Sequence, residues 1–330
     1  AADPDAWMRA ATKDNGEEHY ECILMHVDDI LAISTNAKVL LQSLEGGTVK
    51  YRNGKVEPPD THLGARLDKK RVNGIDLWGI TSVDCIKAAI KTLREALKSK
   101  PHLKWSTRML TPMILNYAPE LDASPELESE DIQFCQELIG VLRWATELGR
   151  TDVLLETSLL SQHQASPRQG HLEQALHIFA YMDKKPKTSL YMDPSLPNLD
   201  YSEFKTNKED FKEYYRDADE GMPHRMPKPR GRPVVTTGFV DASHAANKKN
   251  RRSHTGYLLF VNRAPVKWCG KRQQTVETSA FSSEFLALKA CIEDVEHLRF
   301  KLRMFGTPTL NEDATNLFCA YCSTQLVFMQ

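Results

Sequence analysis

The chain has 330 residues, 41% hydrophobic and 26% charged, and its 43 basic and 44 acidic side chains leave a formal net charge of −1. That length exceeds one ordinary core and predicts two or three domains, and the composition excludes a disordered or fibrous polypeptide. The near-neutral balance excludes the overall basic excess of a free-standing nucleic-acid binder, so any phosphate contact must be local; no apolar run approaches the ~18 residues of a membrane span, and Ala1-Ala2-Asp3-Pro4 does not open a secretory signal.

The 7 cysteines are an odd number scattered from Cys22 to Cys322, which does not make a disulfide framework and predicts reduced thiols in a cytoplasmic or nuclear setting. Cys319 and Cys322 form one CxxC pair, but no second Cys or His pair follows to complete a structural zinc site.

In chain order, residues 21–35 read as two short apolar runs around Asp28-Asp29, which predicts a hairpin. Asn36 then opens a helical pattern through Val39, Leu40 and Leu44, closed by Gly46-Gly47, and a turn-rich stretch runs to Pro58-Pro59. Ser82 can cap a helix in which Val83, Ile86, Ile90, Leu93 and Leu97 share one face. Further helices are predicted at about 130–147, through Phe134, Leu138, Leu142 and Ala145, and about 168–182, through Leu172, Leu176 and Phe179. The proline-rich stretch from Lys184 to Pro233 reads as a linker. Beyond it, Val234–Val240, Gly256–Val261 and Pro265–Cys269 read as strands, followed by a helix through Phe281, Phe285, Leu288, Ile292 and Val295 and a short strand at Asn316–Cys319.

Two acidic constellations carry candidate chemistry. Asp28 and Asp29 sit where two apolar strands meet, so they either hold a divalent cation or simply satisfy the turn, where Asp is favoured. Asp241 ends an apolar strand and Glu284 lies near the start of the later helix, whose flanking Phe281, Phe285 and Leu288 are expected to be buried. Those acids either meet at a two-metal nuclease site or remain separate and solvated. Lys248, Lys249, Arg251 and Arg252, and after the third strand Lys267, Lys271 and Arg272, are either phosphate contacts or solvated loop charges.

The wider pattern resembles copia-type (Pseudoviridae-like) retrotransposon polyproteins. Met25-His26-Val27-Asp28-Asp29-Ile30-Leu31 is similar to their reverse-transcriptase motif, with His26 in place of the usual tyrosine. Asp3-Pro4-Asp5-Ala6-Trp7-Met8-Arg9 resembles the segment leading into it, and His62-Leu63-Gly64 their Tyr-Leu-Gly turn. Asp241-Ala242-Ser243-His244-Ala245, Arg252-Ser253-His254-Thr255-Gly256-Tyr257, Val266-Lys267-Trp268, Lys271-Arg272-Gln273, Thr275-Val276-Glu277-Thr278-Ser279 and Ser283-Glu284-Phe285 look like copia-type ribonuclease H, in family order over about 90 residues.

The resemblance implies Asp28 and Asp29 as polymerase metal ligands, Asp241 and Glu284 as ribonuclease H ligands, and two-metal Mg²⁺ or Mn²⁺ chemistry on an RNA–DNA hybrid or template-primer. Glu277 precedes the helix and is assigned a structural role. Arg143-Trp144 and Pro167-Arg168-Gln169-Gly170-His171 match the family's connecting region and are assigned to packing. In Cys319-Ala320-Tyr321-Cys322-Ser323, Ala320 stands where the family carries its third nuclease acid, while Glu312 and Asp313 precede the strand.

The expected fold is α/β (α+β), with a partial reverse-transcriptase palm and thumb at 1–80, a helical connection at 81–185, a linker at 186–233 and a truncated ribonuclease H-like mixed sheet flanked by helices at 234–330. The missing upstream aspartate and last helix imply a fragment, joined in its parent to the rest of a retroelement polyprotein, with impaired catalysis here. The alternative is a degenerate or co-opted module that binds nucleic acid or protein without catalysis.

Overall fold

The computed structural model describes residues 3–27, 29–45, 56–107, 109–186, 188–198 and 226–310, and the backbone of Cys319–Tyr321. Its first sheet is antiparallel, built from β1 (Ala6–Thr12), β2 (Glu18–His26) and β3 (Asp29–Ile33) in that order. The hairpin predicted around the acids is the turn from β2 to β3, with His26 opposite Asp29. Val27 holds it at φ 54°, a left-handed conformation that a β-branched residue rarely takes. Helix α1 (Ala37–Ser43) follows, its Asn36 Oδ1 accepting the Val39 N–H at 3.3 Å as the capping pattern predicts.

A second antiparallel sheet follows the turn-rich stretch, in residues for which the sequence predicted no strand. It contains β4 (Thr61–His62), β5 (Ala65–Val72) and β6 (Ile75–Thr81), with β7 (Leu190–Met192) added from within the 186–233 segment. Two-residue turns at Leu63-Gly64 and Asn73-Gly74 join the first three strands, with positive φ at all four residues, the geometry that matches strand twist.

Four helices form the middle of the chain: α2 (Val83–Ala96), α3 (Ser129–Glu147), α4 (Leu154–Ser161) and α5 (Gln169–Lys184). Ile86, Ile90 and Leu93 of α2, Leu138, Ile139 and Leu142 of α3, and Leu172, Leu176 and Phe179 of α5 share one buried core. Ser82 does precede α2, but it makes no side-chain cap bond; the Thr81 Oγ1 accepts the Val83 N–H instead, at 3.3 Å.

The third sheet has the order β10-β9-β8-β11, from β8 (Thr236–Ser243), β9 (His254–Val261), β10 (Ala264–Arg272) and β11 (Cys319–Tyr321). β11 runs parallel to β8, with Ala320 opposite Phe239, and the other pairs are antiparallel. The last strand thus begins at Cys319 rather than ending there, and 316–318 lie outside the described residues. Helix α6 (Ala280–Met304) packs Ala287, Cys291 and Val295 against Val240, Ala242, Tyr257 and Leu259. The fit requires Gly238, where a Cβ would lie 2.8 Å from the Cys291 Sγ.

The expected burial of Phe281 and Phe285 is not observed: they are 78% and 57% exposed, and α6 turns Ser283, Ala287, Cys291 and Val295 inward instead. Small side chains let the helix approach Gly238 closely, which rings on that face would prevent. The architecture is a mixture of three sheets and six helices among the described residues, an α+β fold. No helix of these residues is long and apolar enough to cross a membrane.

Candidate functional site

Strand β8 and helix α6 bring Asp241 and Glu284 together. Asp241 lies one residue past Val240, whose side chain enters the core, and Glu284 follows the buried Ser283 in the first turns of α6. Ser279 caps that helix, its Oγ accepting the Ser282 N–H at 3.1 Å. Burial pushes the Glu284 carboxyl above its ordinary range; the Asp241 charge and a side-chain hydrogen bond between the two acids push it further, while a bond from the Ala242 N–H opposes the rise.

The surrounding loops are tied to the same end of the sheet. Gln273 Nε2 donates to the Ser283 carbonyl at 2.8 Å and lies 3.1 Å from Thr255 Oγ1, fixing the end of β10 to the start of α6. Ser253 Oγ accepts the Ala245 N–H at 2.9 Å, and His244 Nδ1 stands 3.2 Å from Ser283 Oγ. Sequence reasoning did not single out Ser253, Gln273 or His244 for these contacts, although each falls inside a quoted motif. Thr275 Oγ1 donates to Glu277 at 2.8 Å ahead of α6, which agrees with a structural role for Glu277.

The basic candidates separate into two kinds. Lys267 is held by Asp294 of α6 at 2.8 Å, so its charge is already matched. Lys248, Lys249, Arg251, Arg252, Lys271 and Arg272 form no ion pair with a described carboxylate; Arg252 and Arg272 are half-buried and the other four exposed. Glu120 of the helical region accepts the Lys248 backbone N–H at 2.7 Å, so the loop rests on that region while Lys248, Lys249 and Arg251 face solvent.

Asp29 begins β3 in a different sheet, exposed at the mouth of a cavity of about 370 Å³ whose walls include Lys38, Glu57 and His62. Asp28 lies outside the described residues, as do Glu312, Asp313 and Cys322. Among the described residues no group of three or more His, Cys, Asp or Glu side chains is arranged to hold a metal ion. The third sheet therefore offers two carboxylates, with Ala320 on the strand beside β8.

His171 is structural: its Nδ1 accepts the Arg168 N–H at 2.9 Å, its Nε2 meets the Pro119 carbonyl at 2.8 Å, and its ring stacks on His163 at 4.5 Å. Trp268 is half-buried and donates from Nε1 to the Thr146 carbonyl at 3.0 Å, which agrees with a packing role. Trp144, by contrast, is 48% exposed and lies over the turn at Gly64.

No family model matches the chain, and no solved structure matches it. It is similar to a transposon Ty5-1 protein of Saccharomyces cerevisiae, 23% identical over 255 residues that cover 77% of this chain and 67% of that one. It is also similar to the retrovirus-related Pol polyprotein from transposon TNT 1-94 of Nicotiana tabacum, 21% identical over 94% of this chain and 20% of the polyprotein. A 66-residue stretch is 35% identical to the secreted RxLR effector protein 161 of Plasmopara viticola, covering 20% of this chain and 46% of that protein. Over most of its length, then, this chain is similar at low identity to retrotransposon polyprotein sequences, and it spans a fifth of the tobacco polyprotein.

Proposed function

We propose that the chain is the reverse transcriptase and ribonuclease H region of a copia-type retroelement polyprotein, with Asp241 and Glu284 as a ribonuclease H-like site of reduced activity. The observation that carries this reading is the meeting of two carboxyls from β8 and α6, close enough to raise the proton affinity of Glu284. A half-buried pair of like charges is unfavourable unless a proton or a cation lies between them. Hard oxygen donors with that repulsion to relieve suit a divalent ion.

Mg²⁺ or Mn²⁺ held there would neutralise phosphate charge and acidify an attacking water. The chain's own part is to set Asp241 on a rigid strand and Glu284 on a capped helix, and to present Lys248, Lys249, Arg251, Arg252, Lys271 and Arg272 to a hybrid's phosphates. Asp28 and Asp29 are the corresponding polymerase-like metal ligands, serving template-primer. The remainder of the polyprotein is the expected covalent partner.

Ala320 favours reduced activity, because a methyl group cannot supply the third carboxylate. It also favours the second reading, a non-catalytic nucleic-acid or protein-binding module. Calorimetric titration with Mn²⁺ separates them. Saturable binding that Asp241→Asn and Glu284→Gln each abolish supports the metal site, whereas hybrid binding with no response to divalent ions supports the binding module.

A further inference from the structure

The first turns of α6 carry two rings that the core does not use. Phe281 is 78% and Phe285 57% exposed, and the rings lie nearly parallel, 20° apart with centroids separated by 6.4 Å. Single exposed apolar side chains are common, but paired large rings at the start of a 25-residue helix are a surface feature that asks for a partner.

Their location narrows the partner's chemistry. Phe281 is three residues before Glu284 and four before Phe285, so its ring neighbours both the carboxyl and the second ring, while Phe285 stands about 100° round the helix from Glu284. Gln273, bonded to the Ser283 carbonyl at 2.8 Å, ties the end of β10 to the same turns, and Lys271 lies on the strand face of Cys269 and Lys267, which turns toward α6. A ligand meeting all of these is polyanionic and carries flat aromatic faces.

We propose that Phe281 and Phe285 form a base-stacking platform for nucleic acid, receiving nucleotides adjacent to the phosphate that the Asp241 and Glu284 site would address. This rests on the hydrolytic reading of that site and adds the contact that positions the strand. The rings accept any base, because every base has a π face, while Lys271 takes a flanking phosphate.

The test is fluorescence anisotropy of a labelled RNA–DNA hybrid and a labelled single-stranded oligonucleotide against the full chain in EDTA. Phe281→Ala with Phe285→Ala is expected to weaken binding about tenfold per ring removed, at the lower end of what base stacking on aromatics contributes, with the salt slope unchanged. Replacing Lys271 is expected to reduce the salt slope instead. Because both rings are exposed, the fold should survive, and Phe281→Trp offers a second arm: affinity retained, with indole emission quenched beyond that of the parent chain.

Unchanged affinity in the double alanine variant, or Phe281→Trp emission that nucleic acid does not quench, overturns the platform. Loss of self-association with intact nucleic-acid affinity also overturns it and assigns the rings to a protein contact. Failure of the hydrolytic reading looks different: Asp241→Asn would then leave Mn²⁺ binding as it was, whatever the rings do.

Discussion

The Trp268 indole on β10 donates to the Thr146 carbonyl near the end of α3, 3.0 Å away and 122 residues earlier in the chain. Leu154 of α4 lies against Gly270 two residues further along the same strand. The helical core and the third sheet are thus joined by direct packing, so the candidate site stands on a scaffold larger than its own sheet.

Trp268→Phe keeps most of the ring and removes the donor. Loss of a net hydrogen bond costs about 1 kcal/mol, and the carbonyl left behind adds to that where water cannot reach it. Urea unfolding should therefore show a lower midpoint for Trp268→Phe. An unchanged midpoint would mean that the bond contributes nothing to joining the two regions.

Gly238→Ala tests the closeness of α6 to β8. The new methyl would sit 2.8 Å from Cys291 Sγ and 3.2 Å from Leu259 Cδ2, so the helix or the strand must shift. Overpacking of this kind costs ~1–3 kcal/mol. Thermal melting should show that loss, and the Cys291→Ala background should recover part of it.

The Glu284 carboxyl gives a pH dependence of definite sign. Burial first, and the Asp241 charge second, raise its folded value above the ordinary 4.5, so the native state binds the extra proton. Its stabilising contribution is present below pH 4.5 and is lost as pH rises through the raised value. Asp241→Asn removes the like charge, so the Glu284 titration followed by NMR should move down towards the ordinary value. A titration that ignores Asp241→Asn would show that the two acids do not interact.

Much of the third sheet was legible because β8 and β9 carry apolar runs and α6 carries a helical period. Its inner face was misread because hydrophobic size was taken as the guide. Ser283, Ala287 and Cys291 are small, and their smallness is what allows contact at Gly238. The β5 to β6 hairpin was missed although Asn73-Gly74 is a strong turn signal, since the run Asp68-Lys69-Lys70-Arg71 hides a strand whose charged side chains face solvent or pair with Asp76. β7 pairs with β6 across more than a hundred residues, a relationship that no local pattern announces.

That Asp241 and Glu284 could be pressed together was legible in the sequence, while the contacts of Gln273 and Ser253 were not. Their roles depend on loops closing onto one end of the sheet, and a neutral side chain that bonds a backbone group leaves no periodic trace in sequence.

The proposed hydrolytic site of Asp241 and Glu284, lacking one carboxylate, is tested most directly by cleavage of a labelled RNA–DNA hybrid in Mg²⁺ and Mn²⁺ by this chain and by its Ala320→Asp variant. A site of this kind gives little or no cutting by the chain itself and metal-dependent cutting by the variant, abolished when Asp241→Asn is added. Robust cutting by the unaltered chain, or cutting by the variant that survives Asp241→Asn, would contradict it.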